Sequence, residues 1–208
     1  MQQQPIVVMS YSAEAAAKAG GGDYINEGGP YIGKFKEAKY VTAKTKSQGL
    51  EFSFESKDGL KANYISVYYA KAPEAQGQQG EPIKGGVSTL NAIMGILGLK
   101  QITAVKSGDG YICPEFTDKD IGLFLQKKLM TKSDGSDSYG FEIKVPFDPR
   151  DNKTMREKLD NKSAETIGRM TASYKDDDQR KQKGSGSVSG SGGGYDQYPE
   201  AGGFATFG

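Results

Sequence analysis

Residues 50–70 constrain this chain more than any other stretch. Leu50, Phe52 and Phe54 alternate with Glu51, Ser53 and Glu55, and a period of two marks a strand with one face buried. Lys57-Asp58-Gly59 follows. Asp-Gly supplies the positive φ values of a tight hairpin. Lys61 to Ala70 then reads as the return strand, with Ile65 and Val67 on one face and Tyr64 and Tyr68 on the other. An isolated hairpin is marginal in water, so the rest of the chain must supply partners.

Upstream, Tyr31 to Thr45 reads as a long strand carrying Phe35, Tyr40 and Val41 among lysines. Its alternation slips near Ala38, which predicts a bulge, and Lys46 to Gly49 is a turn. Downstream, Ala72 to Gly86 is a polar loop. Val87 to Leu97 has helical spacing, with Leu90, Ile93, Met94 and Leu97 on one face and Gly98 as the stop. A connecting segment runs to about Asp120. Two further strands are expected at Ile121–Thr131 and Tyr139–Phe147, joined by the loop Lys132–Ser138, with Pro146 marking an edge or an end. Three strands, a helix and two strands is the element order of the OB fold. The expected fold is therefore mainly β: an OB-fold-like five-stranded Greek-key barrel with the helix between strands 3 and 4. Phe35, Phe52, Phe54, Phe141 and Ile143 are its expected core.

Four segments follow from this pattern. Residues 1–29 form an N-terminal arm, with a short helix expected over Ser12–Ala19. Residues 30–150 form the barrel. Residues 151–183 are a polar extension, with a helix over Ser163–Tyr174 capped by Ser163, then a solvated charge run, Lys175–Lys183. Residues 184–208 are rich in glycine and serine, cannot bury enough apolar surface to order themselves, and are expected to be a disordered tail. The tail ends in an acidic and aromatic tip, Tyr195, Asp196, Tyr198, Glu200, Phe204 and Phe207, of the kind that recruits protein partners.

Composition narrows the chemistry. The chain has no histidine and one cysteine, Cys113, so the usual imidazole base and an intramolecular disulfide are both excluded. Cys113 reads as a packed or partly exposed thiol. Asp134-Gly-Ser-Asp137 lacks the spacing of a calcium loop, and Asp176 to Asp178 read as solvated charge rather than a divalent-ion site. Neither catalysis, metal nor cofactor is expected. No apolar run is long enough to span a membrane, and the N-terminus lacks the pattern of a signal peptide, so a cytoplasmic protein is expected. Net charge is +1. The tail holds two acids and no base, which leaves the body at +3, so contacts to a polyanion must come from local clustering.

Such clustering exists on the strands. Single-strand binding needs cations along the backbone path and flat side chains on which bases stack. Lys34, Lys36, Lys39, Lys44 and Lys46 lie on or beside the first strand, with Tyr40 among them. Tyr64, Tyr68 and Tyr69 lie on the third, flanked by Lys61 and Lys71. Phe124, Lys127, Lys128 and Lys132 extend the set to the fourth. Aromatics on strands also serve as core and lysines as a solvent face, and for Tyr64 and Tyr68 the pattern leaves both roles open.

The segment from Gly29 to Ala70 followed by Lys84 to Ile102 resembles phage-encoded single-stranded DNA-binding proteins of replication and recombination modules. The resemblance rests on G-x-Y-x-G-K at Gly29–Lys34, G-L-E-F-x-F at Gly49–Phe54, Asp58-Gly59, and L-N-A-I-M at Leu90–Met94. It continues weakly through Gly122–Lys128 and Tyr139–Pro149. It implies an OB-like fold, binding of single-stranded DNA without strong sequence preference, and no catalysis. The tail parallels the Gly-rich linker and acidic, phenylalanine-ended tip of bacterial single-strand-binding proteins, which dock replication partners; here the tip is less acidic and Gly208 follows Phe207. An RNA- or oligosaccharide-binding barrel and a structural virion or assembly protein with a β-sandwich body stay open as rival readings, as does homo-oligomerisation.

Overall fold

The computed structural model describes residues 10–13, 23–75 and 80–180. Most of the helix expected over 12–19, and the whole tail including Tyr195, Asp196, Tyr198, Glu200, Phe204 and Phe207, lie outside the described residues.

Strands β1 (Gly29–Thr42), β2 (Gln48–Ser56) and β3 (Lys61–Ala70) form the antiparallel meander that the alternation dictates. The bulge in β1 falls between Phe35 and Glu37, slightly earlier than expected. Inward positions carry Phe35, Phe52, Phe54, Leu50, Ile65 and Val67, all buried. The Phe35 and Phe52 rings lie 4.4 Å apart, and both meet Phe116 edge-on.

Helix α1 (Lys84–Leu97) buries Leu90, Ile93 and Ile96 against this core and ends at Gly98, whose φ of 68 places it in the left-handed region. It starts three residues before the expected Val87 and has no side-chain cap. Its first turn lies on the backbone of β3, since a Cβ on Gly86 would sit 1.8 Å from the Tyr68 carbonyl oxygen. The segment expected to be a plain connection instead contains a hairpin, β4 (Val105–Ser107) and β5 (Gly110–Ile112), and a 3-10 turn, Pro114–Phe116.

Strands β6 (Asp120–Thr131) and β7 (Asp137–Phe147) complete the sheet. β6 pairs antiparallel with the first half of β1, Gly29↔Leu125 to Lys34↔Asp120, while β5 takes the second half of that edge at Lys39↔Ile112. The long strands therefore run β3-β2-β1-β6-β7. β3 and β7 approach one another without ladder pairing, and α1 packs on both. The protein is mainly β, with an antiparallel sheet and few helices.

Both flanking segments are more integrated than their polarity suggests. The end of the arm docks on the start of β3, where Tyr24 bridges to Lys61. Ile25 is buried in the main core, and its amide donates to the Lys61 carbonyl at 2.8 Å. The extension carries α2 (Met155–Leu159), α3 (Thr166–Ala172) and a short strand β8 (Asp177–Asp178), which pairs in parallel with Lys128 and Leu129 of β6. The run expected to be solvated charge thus adds to the sheet. Ser163 is not the cap of α3; Glu165 holds that place, and the Ser163 hydroxyl donates to its carboxylate. Ile167 of α3 packs on Phe124 and Phe147 in a second, smaller apolar cluster.

Buried carboxylates anchor the extension. Glu157 accepts from the Thr154 amide and hydroxyl with one oxygen and from the Glu165 and Thr166 amides with the other. Burial pushes its pKa up, but these donors prevail and hold it at about 2. Asp148, also buried, is gripped by Arg150 and Lys158 and is held far below the usual carboxylate range, chiefly by the Arg150 hydrogen bonds.

Candidate nucleic-acid interface

Alternation that buries one face of the meander presents the other to solvent. Across the outer face run the rows Lys34–Glu55–Lys61 and Lys39–Glu51–Ser66, set by strand register. Lys34, Lys36 and Lys39 each have about half their side chain exposed. Each is latched to a carboxylate: Lys34 to Asp120 at 3.9 Å, Lys36 to Asp118 at 2.7 Å, and Lys39 to Glu37 at 2.8 Å. Hydrogen bonding to these acids raises the Lys36 and Lys39 pKa values and, from the other side, lowers that of Asp118. Glu51 is pushed up by burial. The face therefore carries cations in a lattice with acids, and a polyanion must displace the acids to reach them.

Tyr64 stands out on this face. It is 58% exposed and has a φ of 60, at a bulge of β3 opposite Phe52 and Phe54. Positive φ is a genuine outlier for a bulky residue. Tyr68 is half-buried, its ring over Gly49, where a Cβ would sit 2.8 Å from the ring. Lys44 and Lys46 lie exposed in the β1–β2 turn, and Lys61 at the start of β3.

The other expected contact residues separate from this group. Phe124 is 1% exposed, beneath α3, with its ring 5.9 Å from that of Tyr174. Its strand position turns it away from the main core, and the extension covers it. Tyr40 and Tyr69 pack against the main core, and the Tyr40 hydroxyl donates to the Thr103 carbonyl. Lys71 pairs with Glu81 at 3.1 Å. Lys127, Lys128 and Lys132 belong to the β6–β7 hairpin rather than to the meander. The Lys127 ammonium lies 4.9 Å from the centre of the Tyr139 ring, and Lys128 is bound to Glu142.

Two exposed residues escaped the sequence reading: Tyr111, 52% exposed, and Lys106, directly opposite it on the β4–β5 hairpin. Their one signal is the Gly108-Asp109-Gly110 turn, flanked by the short runs Val105-Lys106 and Tyr111-Ile112.

Cys113 is buried and its thiol donates to Glu115 at 3.1 Å. Burial pushes its pKa up to about 12, so it stays a thiol at neutral pH. Among the described residues there is no cluster of metal-ligating side chains and no helix long and apolar enough to cross a membrane. No protein-family model matches this chain, and no curated protein matches it.

Proposed function

We propose that this chain is a non-catalytic, cytoplasmic single-stranded DNA-binding protein on an OB-type barrel. It coats and protects single strands during phage DNA replication or recombination. Tyr64 carries the reading. A bulky residue in left-handed conformation costs roughly 1–3 kcal/mol, which glycine would avoid. The ring is mostly exposed, so core packing does not account for it. Exposed on the same face as Lys39, it is a stacking platform near a cation, the pairing that sequence-tolerant single-strand binding requires.

In this reading the phosphates follow Lys34, Lys36 and Lys39, replacing Asp120, Asp118 and Glu37, and bases stack on Tyr64 and Tyr68. Lys44, Lys46 and Lys61 extend the path at the strand ends. The barrel assignment is supported by the strand order β3-β2-β1-β6-β7, by α1 between the third and fourth long strands, and by the approach of β3 to β7. The tail tip, Tyr195 to Phe207, recruits replication or recombination proteins.

The test is fluorescence anisotropy of labelled oligo-dT at low and moderate salt, with duplex DNA and matched RNA as competitors. The expected result is binding that duplex does not displace and that weakens with salt, by a log–log slope of roughly 0.7 per phosphate engaged. Displacement by RNA at equal concentration would move the assignment to an RNA binder. Absence of binding at low salt, with a large stable oligomer, would favour the assembly-protein reading.

A further inference from the structure

We infer that the cleft between the end of β1 and the β4–β5 hairpin is a subsite for one nucleobase, stacked on Tyr111. The inference rests on the single-strand reading above and says where one base of the bound strand goes. β5 is tied to β1 at Lys39↔Ile112, and the Cys113 amide donates to the Ala38 carbonyl at 2.8 Å. No ladder pairing joins β1 to β5 beyond Lys39. The gap there is walled by Lys39, Tyr40 and Val41 on one side and Ser107, Gly110 and Tyr111 on the other.

Its size selects its occupant. The open cleft offers about 190 Å³, below the roughly 300–1,000 Å³ of pockets for drug-sized ligands, which suits a single planar ring system and not a base pair. Its chemistry agrees. Lys39 is its only charged wall residue, and Lys106, in register with Tyr111, adds a second exposed cation. Asp109, in the turn, is the only acid of the hairpin. A cation beside an open aromatic ring suits the base and phosphate of one nucleotide. Continuity with the meander adds a further reason. Lys39 belongs to both surfaces, and β1 runs out of the cleft into the turn bearing Lys44 and Lys46.

The hairpin is otherwise unexplained by packing, since all three residues of β4 are exposed and no side chain of β5 is fully buried. A Cβ on Gly110 would meet nothing within 4 Å, so the cleft mouth is open.

The chain contains no tryptophan, so Tyr111→Trp makes a single-tryptophan reporter in the full-length protein. Oligo-dT is expected to quench its emission as binding saturates. Tyr111→Ala is expected to weaken oligo-dT binding roughly 5- to 150-fold, the scale of one lost stack, with an unchanged melting temperature, and Tyr111→Phe to bind as wild type does. If wild type binds while Tyr111→Ala binds equally well and the tryptophan emission does not change, the subsite is wrong and the single-strand reading stands. If wild type itself fails to bind oligo-dT at low salt, both fall.

Discussion

Two outward-facing patches of the same sheet have opposite fates. On the meander, Lys34, Lys36, Lys39 and Tyr64 face solvent, and the three lysines salt-bridge to Asp120, Asp118 and Glu37. On β6, Phe124 also points away from the main core, but α3 and Tyr174 lie over that side. The Tyr174 hydroxyl accepts from the Lys127 amide and donates to Asp176, which fixes the lid in place. An outward aromatic thus stays in solvent or joins a second core depending on whether another segment reaches it. Alternation assigns a side chain to a face; it does not say what covers the face.

The sharpest way to break this comparison is Phe124→Ala. Deleting a fully buried ring costs roughly 3–5 kcal/mol, so a drop in melting temperature of many degrees is expected. The DNA affinity of whatever protein remains folded should be unchanged. A stable Phe124→Ala protein that has lost affinity would return Phe124 to the interface.

The lid should also fail in acid. The folded Glu157 pKa, about 2, lies below the ordinary value near 4.5. Its contribution is therefore present above pH 4.5 and is lost as pH falls toward 2, an effect on the order of 2 kcal/mol. Asp148, lowered in the same direction, adds to it. Circular dichroism melts from pH 6 to pH 2 should show stability falling in that window, and Glu157→Gln should flatten the fall. An equally steep fall in the Gln variant would locate the acid sensitivity elsewhere.

At Tyr64 the two readings of an outward aromatic predict opposite signs. Tyr64→Asn relieves left-handed strain, so melting temperature should stay level or rise, while oligo-dT affinity falls roughly 5- to 150-fold. A destabilised variant with intact affinity would make Tyr64 part of the packing. The smallest expected effect is at the margin. Asp118→Asn keeps a residue tolerant of the φ of 57 found there and frees Lys36. Affinity should rise about two- to fivefold, the scale of one exposed ion pair, with a steeper salt dependence in anisotropy titrations. A fall in affinity would mean that Asp118 positions Lys36 for phosphate rather than competing with it.

Much of the architecture was legible in the residues. Period-two spacing at Leu50–Phe54, the Asp58-Gly59 turn and Gly98 after a helical run are local signals, set by backbone sterics and side-chain direction. They placed the five long strands and α1 close to their observed bounds. The hairpin at 105–112 was not legible, because three-residue strands carry too little pattern to separate from a loop. α2 was missed because its capping box, Thr154 and Glu157, sits within a polar stretch that reads as solvated. On the outer face of the meander, the exposure of Lys34, Lys39 and Tyr64 was legible from alternation with one slip, and Lys36 falls at that slip. Phe124, Tyr40 and Tyr69 were misplaced because their covers, α3 for Phe124 and distant parts of the core for the others, come from elsewhere in the chain.

The sequence by itself determined which residues form strands, which side of each strand is apolar, and where the meander turns, since these depend on neighbours within a few positions. Only the tertiary structure decided that the polar extension lies over β6, that Ile25 completes the core, and that Tyr64 sits in a left-handed bulge. Those outcomes depend on contacts between residues far apart in the chain, where many pairings satisfy the same local pattern and packing selects among them.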